Sequence, residues 1–363
     1  MYIKKVELKN FRNYSELSID FNEKVNLILG NNAQGKTNLL ESVYISSFGK
    51  SFRTNKDAEM IKFGEESAKI KVITNRDDEE ENVELIIGSD QKKYVKVNGV
   101  KIKKTAELLN NILVVIFSPE DLKIVKDEPD KRRKFIDREI CQINPGYYDS
   151  LSNYKKVLQQ RNMYLKENDI DIDYLDVLDR QLSKYGCKII HYRKNFIDKL
   201  NEISKNIHKK ITNEKENLII KYCPNIKYDE DIKEQEKHFY LNLKDKIESD
   251  RKFRTTSIGP QKDDLEFFIN DVNVRNFGSQ GQQRTTALSL KLAEINIIKE
   301  ETGENPVLLL DDVMSELDLE RQEFLVNSLN QVQLFITTTE IPDILINKFK
   351  NRKIIKVNNG NVE

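Results

Sequence analysis

One short segment restricts the fold of this chain more than any other feature of its sequence. Residues Gly30, Asn31, Asn32, Ala33, Gln34, Gly35, Lys36 and Thr37 fit the pattern Gly-x-x-x-x-Gly-Lys-[Ser/Thr] without deviation. An apolar run over 25–29 comes directly before the segment, and a helical pattern over 38–48 follows it. A buried strand, a turn and a helix in this order predict a loop that binds phosphate through its backbone N–H groups and the helix N-terminus.

The side chains that end this segment indicate the ligand. Lys36 would place its ammonium group between the β- and γ-phosphates of a nucleotide, and the Thr37 hydroxyl would coordinate Mg²⁺. A chance match in a Gly/Asn turn is the alternative, and the flanking strand and helix argue against it. We therefore predict that residues 30–37 bind ATP together with Mg²⁺.

A second apolar run, over 306–310, ends in the two carboxylates Asp311 and Asp312. Asp311 would hold Mg²⁺ through its hydration shell, and Asp312 would orient or deprotonate the attacking water. The alternative is a buried strand with acidic residues in its exit turn.

Two neighbouring segments favour the catalytic interpretation. Residues 315–318 (SELD) resemble the D-loop of ABC-type ATPases, and residues 277–283 (FGSQGQQ), which lie just before a helix, resemble their signature. In that superfamily a Ser and a Gly at the helix N-terminus bind the γ-phosphate of the opposite subunit's ATP. The resemblance therefore assigns Ser279, Gly281 and Gln282 to the nucleotide of a second copy.

Further segments resemble motifs of the RecF family. They are residues 8–14 (LKNFRNY), 49–54 (GKSFRT), 117–122 (FSPEDL), 132–137 (RRKFID), 160–162 (QRN), 259–264 (GPQKDD) and 279–284 (SQGQQR). The resemblance implies an SMC-like head with a helical arm, an ATP-dependent homodimer, and binding to single-stranded or gapped duplex DNA. It also implies RecR and RecO type mediator partners, and roles in recombinational repair, replication restart and the SOS response at single-strand gaps.

Some positions depart from these patterns. His is expected where Phe52 and Gln261 stand, and most ABC ATPases have Glu in place of Asp312. Residues 337–339 are all Thr where a switch His is usual, and no clear Q-loop Gln follows the apolar run 112–117. The missing His and the shorter carboxylate predict slow ATP hydrolysis, stimulated by DNA.

The remaining pattern predicts an α/β fold. Residues 2–29 are typical of three strands, residues 67–102 of a β-meander with a turn at Asn98-Gly99, and most of 118–210 of helix. Strand patterns return at 217–223, 254–258, 263–270, 307–310 and 334–338, with a helix over 281–300. We predict an ABC/SMC-like P-loop ATPase head with a β-rich lobe, formed by residues 1–125 and 215–363, and an inserted α-helical arm over 126–214.

Apolar residues recur in steps of three and four along the second half of the predicted arm. They are Leu175, Leu178, Leu182, Tyr185, Ile189, Tyr192 and Phe196. This spacing is typical of a coiled-coil face, and with the helical pattern before the acidic break at 167–173 it suggests an antiparallel helical hairpin. An ordinary amphipathic helix in a globular lobe is the alternative, and the spacing leaves both open.

The chain has 60 Lys plus Arg and 60 Asp plus Glu, so DNA would have to bind a local basic patch. The run 131–134 is one candidate, unless it pairs with Asp130 and Asp137. Another is the set of lysines flanking the Asn98-Gly99 turn, which could equally protect an edge strand. Arg53 would contact nucleotide or DNA, or lie in a solvated loop. The histidines, His191, His208 and His238, show no ligand-like spacing and are expected at the surface.

The first residues lack the apolar run of a signal peptide, and no stretch approaches the length of a membrane span. The odd, scattered cysteines are typical of a reducing compartment. We expect a cytoplasmic protein without a membrane partner. Two other classes compete with a RecF-like ATPase. One is the ATPase subunit of another complex, either a transporter or an SMC-like assembly; the other is a nuclease fused to such a head, which would need a further acidic cluster.

Overall fold

The computed structural model describes residues 1–90, 92–329, 331–340, 348–349 and 351–362. The chain forms two compact units, here called the first unit (Met1–Leu122 with Lys291–Glu363) and the second unit (Lys123–Leu290). These bounds differ from those of the predicted ATPase head (1–125 and 215–363) and arm (126–214). The predicted division concerns the function of each part, and it stays a prediction.

The described part of the chain contains both strands and helices, and more of its residues are helical. The strands are β1 (Tyr2–Phe11), β2 (Tyr14–Asp20), β3 (Val25–Leu29), β4 (Ser67–Arg76), β5 (Glu79–Gly88), β6 (Lys93–Val97), β7 (Val100–Lys101), β8 (Val114–Phe117), β9 (Leu218–Cys223), β10 (Asp264–Ile269), β11 (Val272–Asn273), β12 (Val307–Asp311), β13 (Leu334–Thr338), β14 (Arg352–Asn358) and β15 (Asn361–Val362). The helices are α1 (Lys36–Phe48), α2 (Lys123–Lys126), α3 (Pro129–Ile143), α4 (Pro145–Tyr164), α5 (Ile172–Ile211), α6 (Ile232–Asp245), α7 (Ile247–Phe253), α8 (Val274–Phe277), α9 (Gln280–Thr302) and α10 (Leu319–Ser328). Within the residues that the structure describes, no helix is long and apolar enough to cross a bilayer.

Among its described residues, the first unit contains two six-stranded sheets. One is antiparallel, in the order β2-β1-β4-β5-β6-β7, and it confirms the predicted meander. Its Asn98-Gly99 turn has φ of 49° and 79°, the left-handed conformation that these two residue types tolerate. The other sheet runs β15-β14-β3-β13-β12-β8, and it is parallel apart from β15. Its strands β8, β12 and β13 are buried along almost their whole length, as expected for central parallel strands.

The second unit is built on the antiparallel pair α4 and α5. Arg161 of α4 bonds Asp179 of α5, while Tyr147, at the other end of α4, meets Arg193, so the two helices run in opposite directions. The two helices thus form the antiparallel hairpin that was one of the two alternatives left open by the sequence. Its helix α5 also bonds to β9, where the Asn201 side chain accepts the N–H of Ile220 at 2.7 Å. The hairpin is therefore part of a packed lobe rather than a free coiled coil.

One predicted strand, over 254–258, is wrong. These residues form a loop after α7, and side chains take the backbone N–H groups that a neighbouring strand would have bonded. The N–H of Thr256 donates to Asn162 Oδ1 at 2.7 Å, and that of Ser257 donates to Asp250 Oδ1 at 3.0 Å. The alternation of residue types could not reveal these distant partners.

The basic run 131–134 is mainly structural. Arg132 is 1% exposed and binds both carboxylate oxygens of Asp264, while Arg133 donates to the carbonyl oxygen of Asp263 at 2.8 Å. Lys134 pairs with Asp130 on the exposed face of α3, as predicted. Asp137 instead contacts Arg193, at 2.8 Å.

A buried ion cluster joins three parts of the second unit. The guanidinium of Arg161 donates to Asp179 at 2.6 Å, to Asp250 at 2.7 Å and to the Thr256 hydroxyl at 2.9 Å. All three ionic side chains are fully buried. Burial raises the pKa of Asp179, and Arg161 opposes that rise. The cluster thus depends on its single cation.

We expect Arg161→Ala to lower the free energy of unfolding by about 3–5 kcal/mol, because it leaves two carboxylates buried without their counter-charge. Lys134→Ala, which removes an exposed partner of Asp130, is the matched control and should cost less than about 1 kcal/mol. Urea unfolding of both variants tests this. Equal losses would show that the buried cluster contributes no more than a surface pair.

Candidate nucleotide-binding site

The sequence-predicted residues of the first unit meet at one edge of the parallel sheet. Strands β3, β13 and β12 are neighbours, with Leu29 beside Thr338 and Asp311 beside Thr337. Their carboxyl ends therefore bring the loop 30–35 next to Asp311 and Asp312. Clefts at this edge are the usual ligand sites of open α/β sheets.

The loop needs glycine at two positions. Gly35 has φ of 118°, and a Cβ there would lie 2.7 Å from Nδ2 of Asn13. At Gly30 a Cβ would lie 2.4 Å from the carbonyl oxygen of Val357. Between them, Asn31, Asn32 and Ala33 are exposed. The loop is thus tightly held at both ends and open in the middle.

Side chains far away in the sequence hold the loop in place. Asn13 donates to the carbonyl oxygen of Gln34 at 2.7 Å, and the N–H of Gly360 donates to the same oxygen at 3.0 Å. The hydroxyl of the buried Tyr14 donates to the carbonyl oxygen of Gly35 at 3.0 Å, and burial raises the pKa of Tyr14. Our sequence reasoning missed this support, although Asn359-Gly360 between β14 and β15 is itself a hairpin signal.

The residues that follow the loop are positioned as a nucleotide and a cation require. The buried Lys36 donates to the carbonyl oxygens of Gly30 and Asn31, at 2.7 and 3.3 Å, which holds its ammonium across the loop. The Thr37 hydroxyl donates to Asp311 Oδ1 at 2.8 Å. Because a hydroxyl has one hydrogen, the lone pairs of the Thr37 oxygen remain for a cation. An oxygen ligand beside a carboxylate fits Mg²⁺.

Thr337, which stands in the segment where a switch His was expected, contacts the carboxylate of one acidic residue and the backbone of the other. Its hydroxyl donates to Asp311 Oδ1 at 2.9 Å and accepts the N–H of Asp312 at 2.9 Å. Burial raises the pKa of Asp311, while hydrogen bonds from Thr37 and Thr337 oppose that rise. Asp312 has φ of 52°, a conformation that non-glycine residues seldom adopt. Thr337 thus supports both the buried carboxylate and the unusual backbone of the next residue.

Arg53 belongs to a polar cluster beside the loop. It donates to Asn38 Oδ1 at 2.7 Å and lies 3.5 Å from the fully buried carboxylate of Glu41. Arg12 binds the same carboxylate through two bonds, at 2.9 and 2.7 Å. The Arg53 side chain remains 44% exposed, and its charge lowers the pKa of Asp311 against the dominant effect of burial. A contact between Arg53 and nucleotide or DNA stays a prediction.

Ser279, Gly281 and Gln282 belong to the second unit, at the start of α9. Ser279 is exposed, and Gly281 and Gln282 are half-buried. The N–H of Ser279 donates to Gln282 Oε1 at 3.0 Å, and the Ser279 hydroxyl accepts the N–H of Gln282 at 3.2 Å. Nearby, Gly278 is required, since a Cβ there would lie 2.6 Å from the carbonyl oxygen of Val274. The assignment of these residues to a phosphate stays a prediction.

His208 was expected at the surface, and this was wrong. It is fully buried near the end of α5, with Nε2 3.0 Å from Glu216 Oε2 and Nδ1 3.1 Å from the Ser289 hydroxyl. A histidine at helical spacing gives no sign of such partners, because they lie on other segments of the chain.

The lysines around the Asn98-Gly99 turn are partly neutralised by neighbours. Lys92 pairs with Asp90 at 2.9 Å, Lys93 with Asp57 at 2.7 Å and Lys96 with Glu84 at 3.3 Å. Lys101 lies over the ring of Tyr94, 4.5 Å from its centroid. Exposed lysines that remain in this segment are Lys103 and Lys104. These pairs favour the edge-strand interpretation for Lys92, Lys93 and Lys96.

Comparison with known proteins identifies relatives over the whole chain. The model of the RecF/RecN/SMC N terminal domain matches residues 2–362. A curated relative from Clostridium botulinum (strain ATCC 19397 / Type A), named DNA replication and repair protein RecF, is 48% identical, with 100% of both chains covered. A protein of the same name from Clostridioides difficile (strain 630) is 50% identical, covering 100% of this chain and 98% of the relative.

Solved structures agree with this fold. A structure described as the recombination mediator protein RecF-ATPrS in RecFOR pathway has a TM-score of 0.93 and 39% identity, covering 100% of this chain and 97% of the other. The corresponding RecF-ATP structure has a TM-score of 0.92, 38% identity and the same coverage. An Smc head domain from Pyrococcus furiosus, 17% identical with a TM-score of 0.57 and coverages of 100% and 95%, shares the fold alone. The predicted α/β class with an SMC-like head is confirmed.

Thr337→Val tests the bridging hydroxyl. The pKa of Asp311 already lies above its ordinary value, so its ionised form lowers the stability of the fold. Removing the Thr337 donor raises that pKa further and lowers the stability more at neutral pH, where Asp311 is ionised in the unfolded chain. We expect a loss of about 1–3 kcal/mol in the free energy of unfolding at neutral pH. The loss should shrink as the pH falls and Asp311 takes up a proton.

Thr337→Ser is the matched control, because it keeps the hydroxyl and removes one methyl group. It should cost about 1 kcal/mol at every pH. Urea unfolding at neutral and mildly acidic pH measures both variants. A loss in Thr337→Val that does not change with pH would contradict the role assigned to this hydroxyl.

Proposed function

The chain belongs to the RecF family, and we propose on this premise that it is an ATP-dependent DNA-binding protein that dimerises on ATP. It acts in recombinational DNA repair, replication restart and the SOS response at single-strand gaps. The observation that carries the proposal is the bond from Thr37 to Asp311 at 2.8 Å, which joins the phosphate loop to the end of β12. The curated relatives bear the name DNA replication and repair protein RecF, and related structures are described with ATP and ATPrS.

The triphosphate binds across the loop 30–35 and the N-terminus of α1. Lys36 supplies a positive charge to the β- and γ-phosphates, and loop N–H groups supply hydrogen bonds. Thr37 and Asp311 would hold Mg²⁺. When bound, Mg²⁺ neutralises charge on the transferred phosphoryl group.

The nucleoside occupies an adjoining groove of about 690 Å³. Its lining includes Asn13 and Asn38, which are bonded to each other at 2.8 Å beside the loop, and the fully exposed Phe63. Arg12, Arg53 and Lys62 also line it. An apolar ring surrounded by amides and cations suits a base with its ribose.

Two copies share each ATP. Ser279, Gly281 and Gln282 contact the γ-phosphate held by the loop of the other copy, so ATP acts as a bridge between copies. The support for this is the position of these residues at the start of α9, where the helix N–H groups lack partners within the helix backbone.

Hydrolysis is slow, and ATP binding acts as a timer for the DNA-bound dimer. Asp312 orients or deprotonates the attacking water, but its side chain is one methylene shorter than Glu. Its backbone is held at φ of 52°, which limits the directions from which the carboxylate can approach the attacking water. DNA stimulates the reaction by stabilising the closed dimer.

DNA binding depends on local basic patches, because positive and negative side chains balance over the chain. Exposed Lys103 and Lys104 and the half-exposed Arg53 are the candidates within the first unit. The preferred DNA is single-stranded or gapped duplex, and RecR and RecO type mediators are the protein partners. The description of related structures as part of the RecFOR pathway supports these partners.

Two substitutions separate ATP binding from hydrolysis. Lys36→Ala should abolish the ATP-bound dimer, since the γ-phosphate loses its main counter-charge. Asp312→Asn should keep the dimer and its retention on DNA, yet lower turnover by roughly 10²–10⁴-fold. Sedimentation with ATP and Mg²⁺, DNA retention on filters and phosphate release measure the three properties.

Lys24→Ala is the control, because Lys24 is an exposed lysine just before β3. It should behave as the wild type. DNA retention that is equal with and without ATP would sink the proposed function and favour an ATPase subunit of another kind. Normal turnover in Asp312→Asn would place the general base elsewhere.

A further inference from the structure

The first turn of α9 is capped by two of its own side chains, those of Ser279 and Gln282. Ser279 gives its N–H to Gln282 Oε1, and its hydroxyl accepts the N–H of Gln282. Ser-x-x-Gln with this exchange is a capping box, which satisfies N–H groups at a helix start. Under the proposed function these are also the Ser279 groups that meet a phosphate. The amide oxygen of Gln282 therefore occupies a position that a phosphate oxygen would take.

The amide nitrogen of Gln282 is held by Glu216. Its Nε2 donates to Glu216 Oε1 at 2.9 Å, and the second carboxylate oxygen, Oε2, lies 3.0 Å from His208 Nε2. Because a carboxylate only accepts hydrogen bonds, the His208 Nε2 carries the proton. Glu216 thus joins Gln282 to His208, with one oxygen for each.

The anchor is rigid because its far end is buried. His208 and Ser289 have no exposed surface, and Ser289 lies two turns after Gln282 on the same helix. The chain of contacts leaves α9 at Gln282, passes through Glu216 and His208, and returns to α9 at Ser289. Such a closed network fixes the orientation of each member.

Glu216 is placed differently from the acidic residue two positions before it in the sequence. It lies in the segment between α5 and β9, where the neighbouring Glu214 is exposed and lies 3.8 Å from Lys209. The Glu216 side chain instead turns inward and is only 22% exposed, and each of its carboxylate oxygens contacts one member of this network.

We infer that Glu216 is part of a latch that keeps the signature closed in the isolated chain. It holds the Gln282 amide so that Gln282 Oε1 stays on the N–H of Ser279. The γ-phosphate of a second copy's ATP must displace that oxygen, and the charge-assisted bond from Gln282 to Glu216 opposes the displacement. The latch rests on the proposed function, because it regulates the same signature, and it raises the ATP concentration at which two copies join.

Amide hydrogen exchange of the segment 278–283 without nucleotide tests the latch directly. Glu216→Ala removes the anchor, so the N–H of Ser279 should exchange about tenfold faster, the change expected for losing roughly one charge-assisted bond. The ATP concentration for half-maximal dimerisation, measured by sedimentation, should fall by a similar factor. Glu214→Ala, an equal charge change two residues away, should alter neither quantity.

Glu216→Gln serves as the conservative variant, and it covers the case in which Glu216→Ala fails to fold. The substituted amide can still accept from Gln282 and can donate to His208 in its other tautomer, so exchange and dimerisation should stay near the wild type. Unchanged exchange in a folded Glu216→Ala protein would overturn the latch, as would an unchanged or higher ATP requirement. Failure of the wild type to dimerise with ATP would instead contradict the proposed function, and the exchange experiment would still decide whether Glu216 holds the cap.

Discussion

The buried carboxylate of Asp311 is the interaction on which the site depends. It lies at the carboxyl end of β12, where burial alone would favour its neutral form, and two hydroxyls donate to the same oxygen. One of them, Thr37, lies in the first turn of α1, and the other, Thr337, lies near the end of β13. This carboxylate therefore joins two strands of the parallel sheet to the helix that follows the phosphate loop. The same Thr337 also receives the N–H of Asp312, so the position of the second acid follows from that of the first.

The phosphate loop is supported in a different way, by groups from both ends of the chain. Asn13 follows β1, and Gly360 lies in the turn before β15; both bond the carbonyl oxygen of Gln34. With the bond from Tyr14 to Gly35, the last two carbonyl oxygens of the loop are thereby occupied by donors from outside it. An anion at this place meets donors that are already oriented, so little reorganisation accompanies binding.

Much of this site could be predicted from the sequence, because its elements are local. A strand, a glycine turn and a helix occupy consecutive residues at 25–48, and Asp311 directly follows an apolar run. The predictions that were wrong concern residues whose bonding partners lie far away in the sequence. The loop at 254–258 has the composition of a strand, but Asn162 and Asp250 bond its backbone. Buried Arg132 looked like part of a charged surface, and His208 looked like a surface histidine. Residue type and spacing cannot reveal a partner that is brought close only by folding.

We propose that ATP is shared between two copies, with the loop of one and the signature of the other on the same nucleotide. Mixing Lys36→Ala protein with Ser279→Arg protein tests it most directly. Each variant alone should remain monomeric with ATP, while the mixture should form heterodimers, because one of the two composite sites then has an intact loop and an intact signature. Sedimentation of labelled proteins, with bound ATP counted, should give one nucleotide for each heterodimer. Normal dimerisation of Ser279→Arg protein alone, or a mixture that behaves as the sum of two monomers, would contradict the account.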